Sequence, residues 1–224
     1  MTVLHLVDDG EAADLAAFLS RLLHYDRGAA VRLQAAGTAL AVFGRPPSFE
    51  VLAIRTVRLA KPYENGLDVT LDVTVSAGEL LESVDESAAT AAVPGAVTGP
   101  PWAGVLPPRG GWRAEPGLPA PDALGALVAA AVAEFRSRTG ELAPERRTRN
   151  ELDRIGRDIW SRSVGQTRLP VRAVHAAQSV GFLGRRDAVE AGLFSSGAWL
   201  RLSTPYGSVA VRQAGLGALD VSVR

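Results

Sequence analysis

The residues best suited to chemistry lie in one short stretch, residues 102–112, where two tryptophans flank a Pro-Pro-Arg-Gly-Gly turn. Proline restricts the backbone before Arg109 and glycine frees it afterwards, so the guanidinium is presented from a stiff arm beside a hinge. Such a group suits an anionic ligand or a partner's carboxylate. The alternative is that both tryptophans only pack an irregular loop onto the core, with Arg109 merely exposed. The predicted ligand- or partner-binding residues are Trp102, Arg109, Gly110, Gly111 and Trp112.

Other catalytic and metal-binding patterns are missing from the sequence. The three histidines, His5, His24 and His175, are scattered, and none is paired at metal-ligand spacing. The chain has no cysteine, which excludes disulfides, zinc–thiolate sites and thiol catalysis. No nucleophile elbow or glycine-rich phosphate loop follows a predicted strand. We expect no catalytic residue, no metal and no cofactor, with a cofactor-free enzyme site around residues 102–112 as the alternative.

A second candidate site is an arginine-rich region, residues 136–172, with ten arginines against five acidic residues. Two acid–arginine pairs spaced four residues apart favour a solvated helix face held by ion pairs: Asp153–Arg157 and Asp158–Arg162. The alternative is a nucleic-acid contact, because three other arginines cluster at a predicted helix start and could bind phosphates. These residues are Arg146, Arg147 and Arg149.

A related alternative is a winged-helix DNA-binding unit over residues 148–212. It would use helices at 148–162 and 170–183 and a wing hairpin at 198–212. A wing needs basic residues at its tip, whereas this tip reads Thr-Pro-Tyr-Gly.

Overall charge argues against a dedicated polyanion binder, because 24 basic residues balance 24 acidic ones. We therefore expect a protein partner, and any affinity for nucleic acid should be weak and salt-dependent. The first residues lack the pattern of a signal peptide, and the longest apolar run, 123–133, is far shorter than a bilayer span. The sequence thus predicts a soluble cytoplasmic protein without a membrane partner.

The elements that would position these residues begin with a weak strand at 2–7 and an amphipathic helix at 9–25, capped by an aspartate. Alternating apolar and polar residues then predict three strands within 29–59. A further strand at 67–75 places leucine and valine on one side and aspartate and threonine on the other. It leads into a helix at 77–86, which Ser76 caps.

The rest of the chain divides by composition. Residues 87–121 are rich in alanine, glycine and proline and predict an irregular segment. Helices are predicted from residue 122, from a cap at Thr148, and from Pro170 to about residue 182, with a short helix at 187–194. Strands follow at 199–203, 208–212 and 219–223. The predicted domains are a discontinuous α+β sheet domain (1–86 and 196–224), the irregular segment (87–121) and a helical insertion (122–195).

Two parts of the chain therefore share one pattern of strand, helix and three strands. The stretch VRLQAAG–TALAVFG–FEVLAIRTVRLAKPYENG–LDVTVSAGELLESV resembles the first domain of the DNA sliding clamp family in rhythm, including a small-residue step from strand into helix. This resemblance covers about half of the chain, and the helical insertion has no counterpart in the family. The pattern of the chain predicts an α+β fold with antiparallel sheets, built from two strand–helix–three-strand units with a helical insertion between them. The predicted function is a non-catalytic binding or scaffold protein that acts through protein partners, DNA-associated ones included.

Overall fold

An antiparallel sheet of eight strands organises the part of the chain that this computed structural model describes, residues 2–46, 50–60, 71–184 and 190–213. In order across the sheet, the strands are β5 (Asp72–Ser76), β2 (Ala30–Ala36), β3 (Ala39–Gly44), β4 (Val51–Arg58), β11 (Gly207–Arg212), β10 (Trp199–Thr204), β9 (Gly192–Ser196) and β8 (Arg113–Glu115). The prediction that the strands near residues 75 and 200 share one sheet is confirmed, because β4 pairs with β11.

A second, three-stranded sheet lies beside the first. It consists of β1 (Val3–His5), β7 (Thr90–Ala92) and β6 (Val84–Asp85), with β7 in the middle. A single bridge between Leu6 and Leu59 connects the region after β1 to the end of β4.

Five α-helices complete the described fold: α1 (Asp9–Tyr25), α2 (Ala77–Glu82), α3 (Pro121–Gly140), α4 (Arg149–Trp160) and α5 (Val171–Ser179). Short 3-10 helices lie at Pro101–Gly104 and Pro144–Arg146. The predicted caps of three helices are confirmed. The side chains of Asp8, Ser76 and Thr148 each accept a hydrogen bond from the backbone N–H three residues later. No helix among the described residues is long and apolar enough to cross a membrane.

The helices cover one face of the large sheet, here called the inner face. Because strand residues alternate between faces, every second side chain of the central strands points into this core. The fully buried strand residues of the core include Val31, Leu33, Leu40, Val42, Val51, Ala53, Leu200, Leu202, Val209 and Val211. Helix α1 contributes Leu15, Phe18, Leu19 and Leu22, as its apolar spacing predicts. The opposite, outer face of the sheet carries the candidate site.

One buried ion network ties α1 to the centre of the sheet. Arg55 of β4 is buried and donates from Nη2 to Glu11 at 3.2 Å and to Asp14 at 2.9 Å. Its Nη1 donates to the carbonyl of Tyr206, in the turn between β10 and β11, at 2.7 Å. Arg58 binds the other oxygen of Glu11 at 2.7 Å. The network therefore joins three separate parts of the fold.

Helices α4 and α5 meet through an aromatic stack. The rings of Trp160 and His175 lie 4.8 Å apart between centroids, with 11° between their planes. Burial lowers the pKa of His175, because the charged imidazolium loses its hydration there. This placement agrees with a structural histidine.

The burial of His175 in this stack predicts that the stability of the protein depends on pH. The unfolded chain takes up the proton first, near the ordinary value of 6.5, so stability is highest above that pH and falls as the pH drops towards the lower folded pKa. We expect the melting temperature of the wild type to fall between pH 7.5 and 5.5, and His175→Phe, which keeps an aromatic ring, to reduce that fall. His5→Gln is the matched control, since His5 is exposed. An equal fall in His175→Phe and wild type would contradict the assignment.

The fold class is confirmed as α+β, with antiparallel sheets and helices inserted between strand groups. Within that class, two helices end earlier than predicted. Helix α2 stops at Glu82 because the chain turns into β6, and α5 stops at Ser179, two residues before Gly181, which has a φ of +83°. The predicted helix at 187–194 is wrong at its end, because residues 192–194 pair in β9; its residues 187–189 lie outside the described residues.

The segment predicted to be irregular contains two strands, β7 and β8, each held by a partner strand distant in sequence. Residues 67–70 of the predicted fourth strand and the predicted strand at 219–223 lie outside the described residues. The division into a sheet domain and a helical insertion stays a prediction.

The order of strands in the sheet contradicts the winged-helix alternative. The hairpin of β10 and β11, which would form the wing, lies inside the eight-stranded sheet, since β11 pairs with β4 and β10 pairs with β9. A wing must project from its domain to reach a DNA groove, whereas both strands of this hairpin are hydrogen-bonded on both sides.

Candidate functional site: a groove on the outer face of the sheet

The predicted binding segment, residues 102–112, crosses the outer face of the large sheet and is here called the tryptophan loop. Two hydrogen bonds fasten it: Arg32 of β2 donates from Nη1 to the carbonyl of Ala103 at 2.7 Å, and Ser196 of β9 donates to the carbonyl of Gly110 at 3.1 Å. The loop thus spans the sheet from its first half to its second half.

The first half of the tryptophan loop is held by apolar packing. Trp102 and Leu106 are half-buried and pack on a small cluster of outer-face residues, which is separate from the main core. Its buried members are Phe43, Ile54 and Ala210. Trp102 thus anchors the loop by burying area, although the ring is only partly covered.

The second half of the loop folds back on itself. Trp112 donates its indole N–H to the carbonyl of Pro108 at 3.0 Å. The guanidinium carbon of Arg201 lies 5.2 Å from the centroid of the same ring, which is the geometry of a cation–π contact. Gly111 has a φ of +76°, a backbone conformation that favours glycine. At Gly110 the surrounding space does not require glycine, because an added Cβ atom would meet nothing within 4 Å.

A groove of about 210 Å³ lies between the loop and the sheet. Small side chains on the outer face of β2 and β3 leave room for this groove. The large side chains that alternate with them point into the core. Gln34 pairs with Ala41 across these strands, and Ala36 pairs with Ala39. The lining residues are Gln34, Ala35, Ala36, Ala39, Ala41, Phe43, Ile54, Thr56, Pro107, Pro108, Arg109 and Arg201. Arg109 therefore lies at a concave surface.

Two guanidinium groups line this outer groove, and neither forms an ion pair with another residue of the described ranges. Burial lowers the pKa of Arg201, and its Nε donates to a neutral acceptor, the Ser208 hydroxyl, at 2.9 Å. Arg109 is exposed, and its charge helps to lower the pKa of Asp72, after the larger effect of the hydrogen bond from Arg32. The groove thus presents positive charge without a matching carboxylate in its lining, an arrangement suited to an anionic group.

The arginines predicted for the nucleic-acid alternative lie around the start of α4. Arg147 donates from Nε and Nη2 to the carbonyls of Leu142 and Gly140, at 3.0 and 2.9 Å, and so satisfies the C-terminal end of α3. Arg149 lies 3.9 Å from an acid one turn along α4, and Arg146 lines a cavity that also contains two glutamates. A nucleic-acid role for the three residues stays a prediction.

The solvated, ion-paired face predicted for α4 lies against α3. The predicted Asp158–Arg162 pair is confirmed at 3.3 Å, and Arg162 also binds Glu134 of α3 at 2.6 Å. Asp153, however, pairs with an arginine one turn before it rather than with Arg157. This region mixes both signs of charge and differs in that respect from the groove.

Sequence reasoning missed the part of the groove that the sheet supplies. Arg201 lies between two buried leucines in β10, and this pattern indicates only that its side chain points to the outer face. Ala36, Ala39 and Ala41 lie on that same face, and their small size was the available signal for a depression. Which loop covers them depends on the pairing of distant strands, and the local pattern does not contain that pairing.

Comparison with known proteins gives two family matches. Residues 1–104 match the model of a domain of unknown function (DUF8010), and residues 107–216 match that of a second domain of unknown function (DUF8185). The two matches meet inside the tryptophan loop. A search of curated protein sequences gives no match.

Among solved structures, the chain is similar to the DNA polymerase sliding clamp from Pseudomonas aeruginosa in two crystal structures. The structure with ligand has 13% sequence identity and a TM-score of 0.48, and the match covers 95% of this chain and 65% of that one. The second has 12% identity and a TM-score of 0.46, with 98% and 66% covered. The chain therefore spans about two thirds of the length of these clamps. Both matches are to the family that the strand and helix pattern resembles, at low sequence identity.

Proposed function

We propose that this protein is a non-catalytic binding protein that receives a peptide segment of a protein partner in the outer groove. The single observation that carries this proposal is the pairing of an apolar, alanine-rich floor with two arginines that lack a carboxylate partner in the described structure. A peptide that places one apolar side chain on the floor and a carboxylate between Arg109 and Arg201 would complement both features.

The size of the groove supports a peptide side chain over a complete small-molecule substrate. Small-molecule sites occupy roughly 300–1,000 Å³, whereas this groove measures about 210 Å³. The lining also favours binding over chemistry. Its polar members are Gln34, Thr56 and the two arginines, and it includes no carboxylate, imidazole or thiol suited to proton transfer at neutral pH.

The two arginines would act differently. Arg201 is held in place by Ser208 and by the ring of Trp112, so it offers a preorganised charge at the groove wall. Arg109 is exposed at the end of the Pro107–Pro108 arm and can adjust to the ligand. Partial burial strengthens the attraction of Arg201 for an anion, because water competes less there.

A randomised peptide library displayed on phage tests the proposal. Panning on the wild-type protein should enrich peptides that carry an aspartate or glutamate close to a large apolar residue. Arg109→Ala and Arg201→Gln should each weaken an enriched peptide about tenfold to a hundredfold, the effect of losing a charged hydrogen bond. Arg109→Ala should leave the melting temperature nearly unchanged, because Arg109 is exposed.

Arg157→Ala is the matched control, since Arg157 is an exposed arginine of α4 outside the groove. Its peptide affinity should equal that of the wild type. Enrichment of peptides without acidic residues, or equal affinities in all four proteins, would contradict the proposed function. A drop in the melting temperature of Arg109→Ala would instead assign that residue to holding the loop.

A further inference from the structure

A second cavity, of about 190 Å³, lies where α4, α5 and β11 meet, and arginines dominate its lining. Its lining residues are Ser161, Arg168, Pro170, Arg172, Val211, Arg212 and Gln213. The three arginines come from two parts of the chain that are separated by about forty residues, so only the folded structure brings them together. No acidic residue belongs to this lining.

The charges in this basic cavity are poorly compensated within the described structure. Arg168 donates to a neutral acceptor, the Gln213 side chain, at 3.2 Å. Its one carboxylate partner among the described residues, Glu115, lies 3.5 Å away, at the outer limit of a hydrogen bond, and the same carboxylate oxygen accepts a shorter bond of 2.6 Å from Ser195. The Nε atom of Arg172 is buried and has no hydrogen-bond partner among the described residues. A buried donor without an acceptor is unfavourable, which makes an acceptor from outside the chain a physical expectation.

Two further features favour an anion here. Guanidinium groups stay protonated at any physiological pH, so the arginines repel one another until a negative charge separates them. Helix α5 begins at Val171 beside the cavity, and its preceding residue, Pro170, provides no side-chain cap. The positive end of the helix dipole adds to the attraction.

We propose that the basic cavity binds a single phosphate group, as inorganic phosphate or as the phosphomonoester of a small molecule. A tetrahedral oxyanion offers several strong acceptors and matches the forked donors of Arg168 and Arg172. The Nε2 group of Gln213 can supply a neutral hydrogen bond, because its Oε1 atom is the one that accepts from Arg168. This site is separate from the outer groove and does not depend on the function proposed for it.

The probes are inorganic phosphate, phosphoserine and adenosine monophosphate, titrated into the full chain by calorimetry at constant ionic strength maintained with sodium chloride. At least one should bind saturably and raise the melting temperature. Phosphate alone would indicate a free-ion site, whereas tighter binding of an ester would indicate a small-molecule ligand. Arg172→Gln and Arg168→Gln should each weaken binding about tenfold or more. Arg136→Gln, on the exposed side of α3, should leave the affinity unchanged.

Arg168 is exposed, so its variant keeps the test decisive if the Arg172 variant fails to fold. Three results would overturn the proposal. The first is the absence of saturable binding by any of the three probes. The second is an equal affinity in wild type, Arg168→Gln and Arg136→Gln. The third is binding of a short single-stranded oligonucleotide without any binding of the small phosphates, since that would indicate an extended surface rather than a single-phosphate cavity.

Discussion

Replacement of Arg55 by methionine should destabilise the protein by about 3–5 kcal/mol, the typical cost of removing one partner from a buried ion pair. The side chains of Arg55 and Glu11 are only 8% and 9% exposed, so water can replace little of the lost interaction. Methionine fills much of the arginine volume, which limits the contribution of a cavity. The change also removes the hydrogen bond to Tyr206 that links β4 to the β10–β11 turn. The measurement is the free energy of unfolding from a urea titration.

Two further variants distinguish the effect of a buried charge on stability from the effect of packing. The double variant Glu11→Leu with Arg55→Met should recover part of the loss, because no carboxylate is then left buried beside a missing arginine. Arg154→Met removes an exposed ion pair with Glu151 and should leave the urea midpoint almost unchanged. If Arg55→Met shifts the midpoint no more than Arg154→Met, the network does not stabilise the fold.

The sequence predicts those elements whose local pattern agrees with their final environment. Helix α1 has an aspartate cap and one apolar stripe, and both features survive in the structure. Strand β2 alternates cleanly, because one of its faces is buried under helices. Strand β3 alternates only over its first four residues, since Phe43 and Gly44 are buried as well as Val42. Strand β8 could not be predicted in this way. Its three residues, Arg-Ala-Glu, have no strand signature and are extended because β9 pairs with them.

The candidate site was predictable in part for the same reason. The tryptophan loop is distinctive in composition, so Arg109 could be selected from the sequence alone. Arg201 could not, because its importance comes from the crossing of a loop over a strand about ninety residues later in the chain. Arg147 is the opposite case, because the sequence gives no sign of its partners, whereas in the structure it binds backbone carbonyls at the end of α3. Long arginine side chains find partners that spacing rules do not anticipate.

Filling the groove should abolish peptide binding without disturbing the fold. Ala41 lies on the groove floor in β3, where tryptophan is well accommodated by a strand and would occupy the space above its neighbours. We expect Ala41→Trp to lose affinity for a selected acidic peptide by on the order of a hundredfold. Its melting temperature should stay close to that of the wild type, because the new ring enters an open groove rather than the packed core. Ala130→Trp, at an exposed position of α3, is the matched control.

The dissociation constant of one selected peptide, measured by calorimetry for the wild type, Ala41→Trp and Ala130→Trp, tests the central claim most directly. If the outer groove is the partner site, Ala41→Trp binds the peptide at least on the order of a hundredfold more weakly, while Ala130→Trp binds it like the wild type. Equal affinity of a folded Ala41→Trp and the wild type would contradict the claim, because the peptide would then bind elsewhere on the protein.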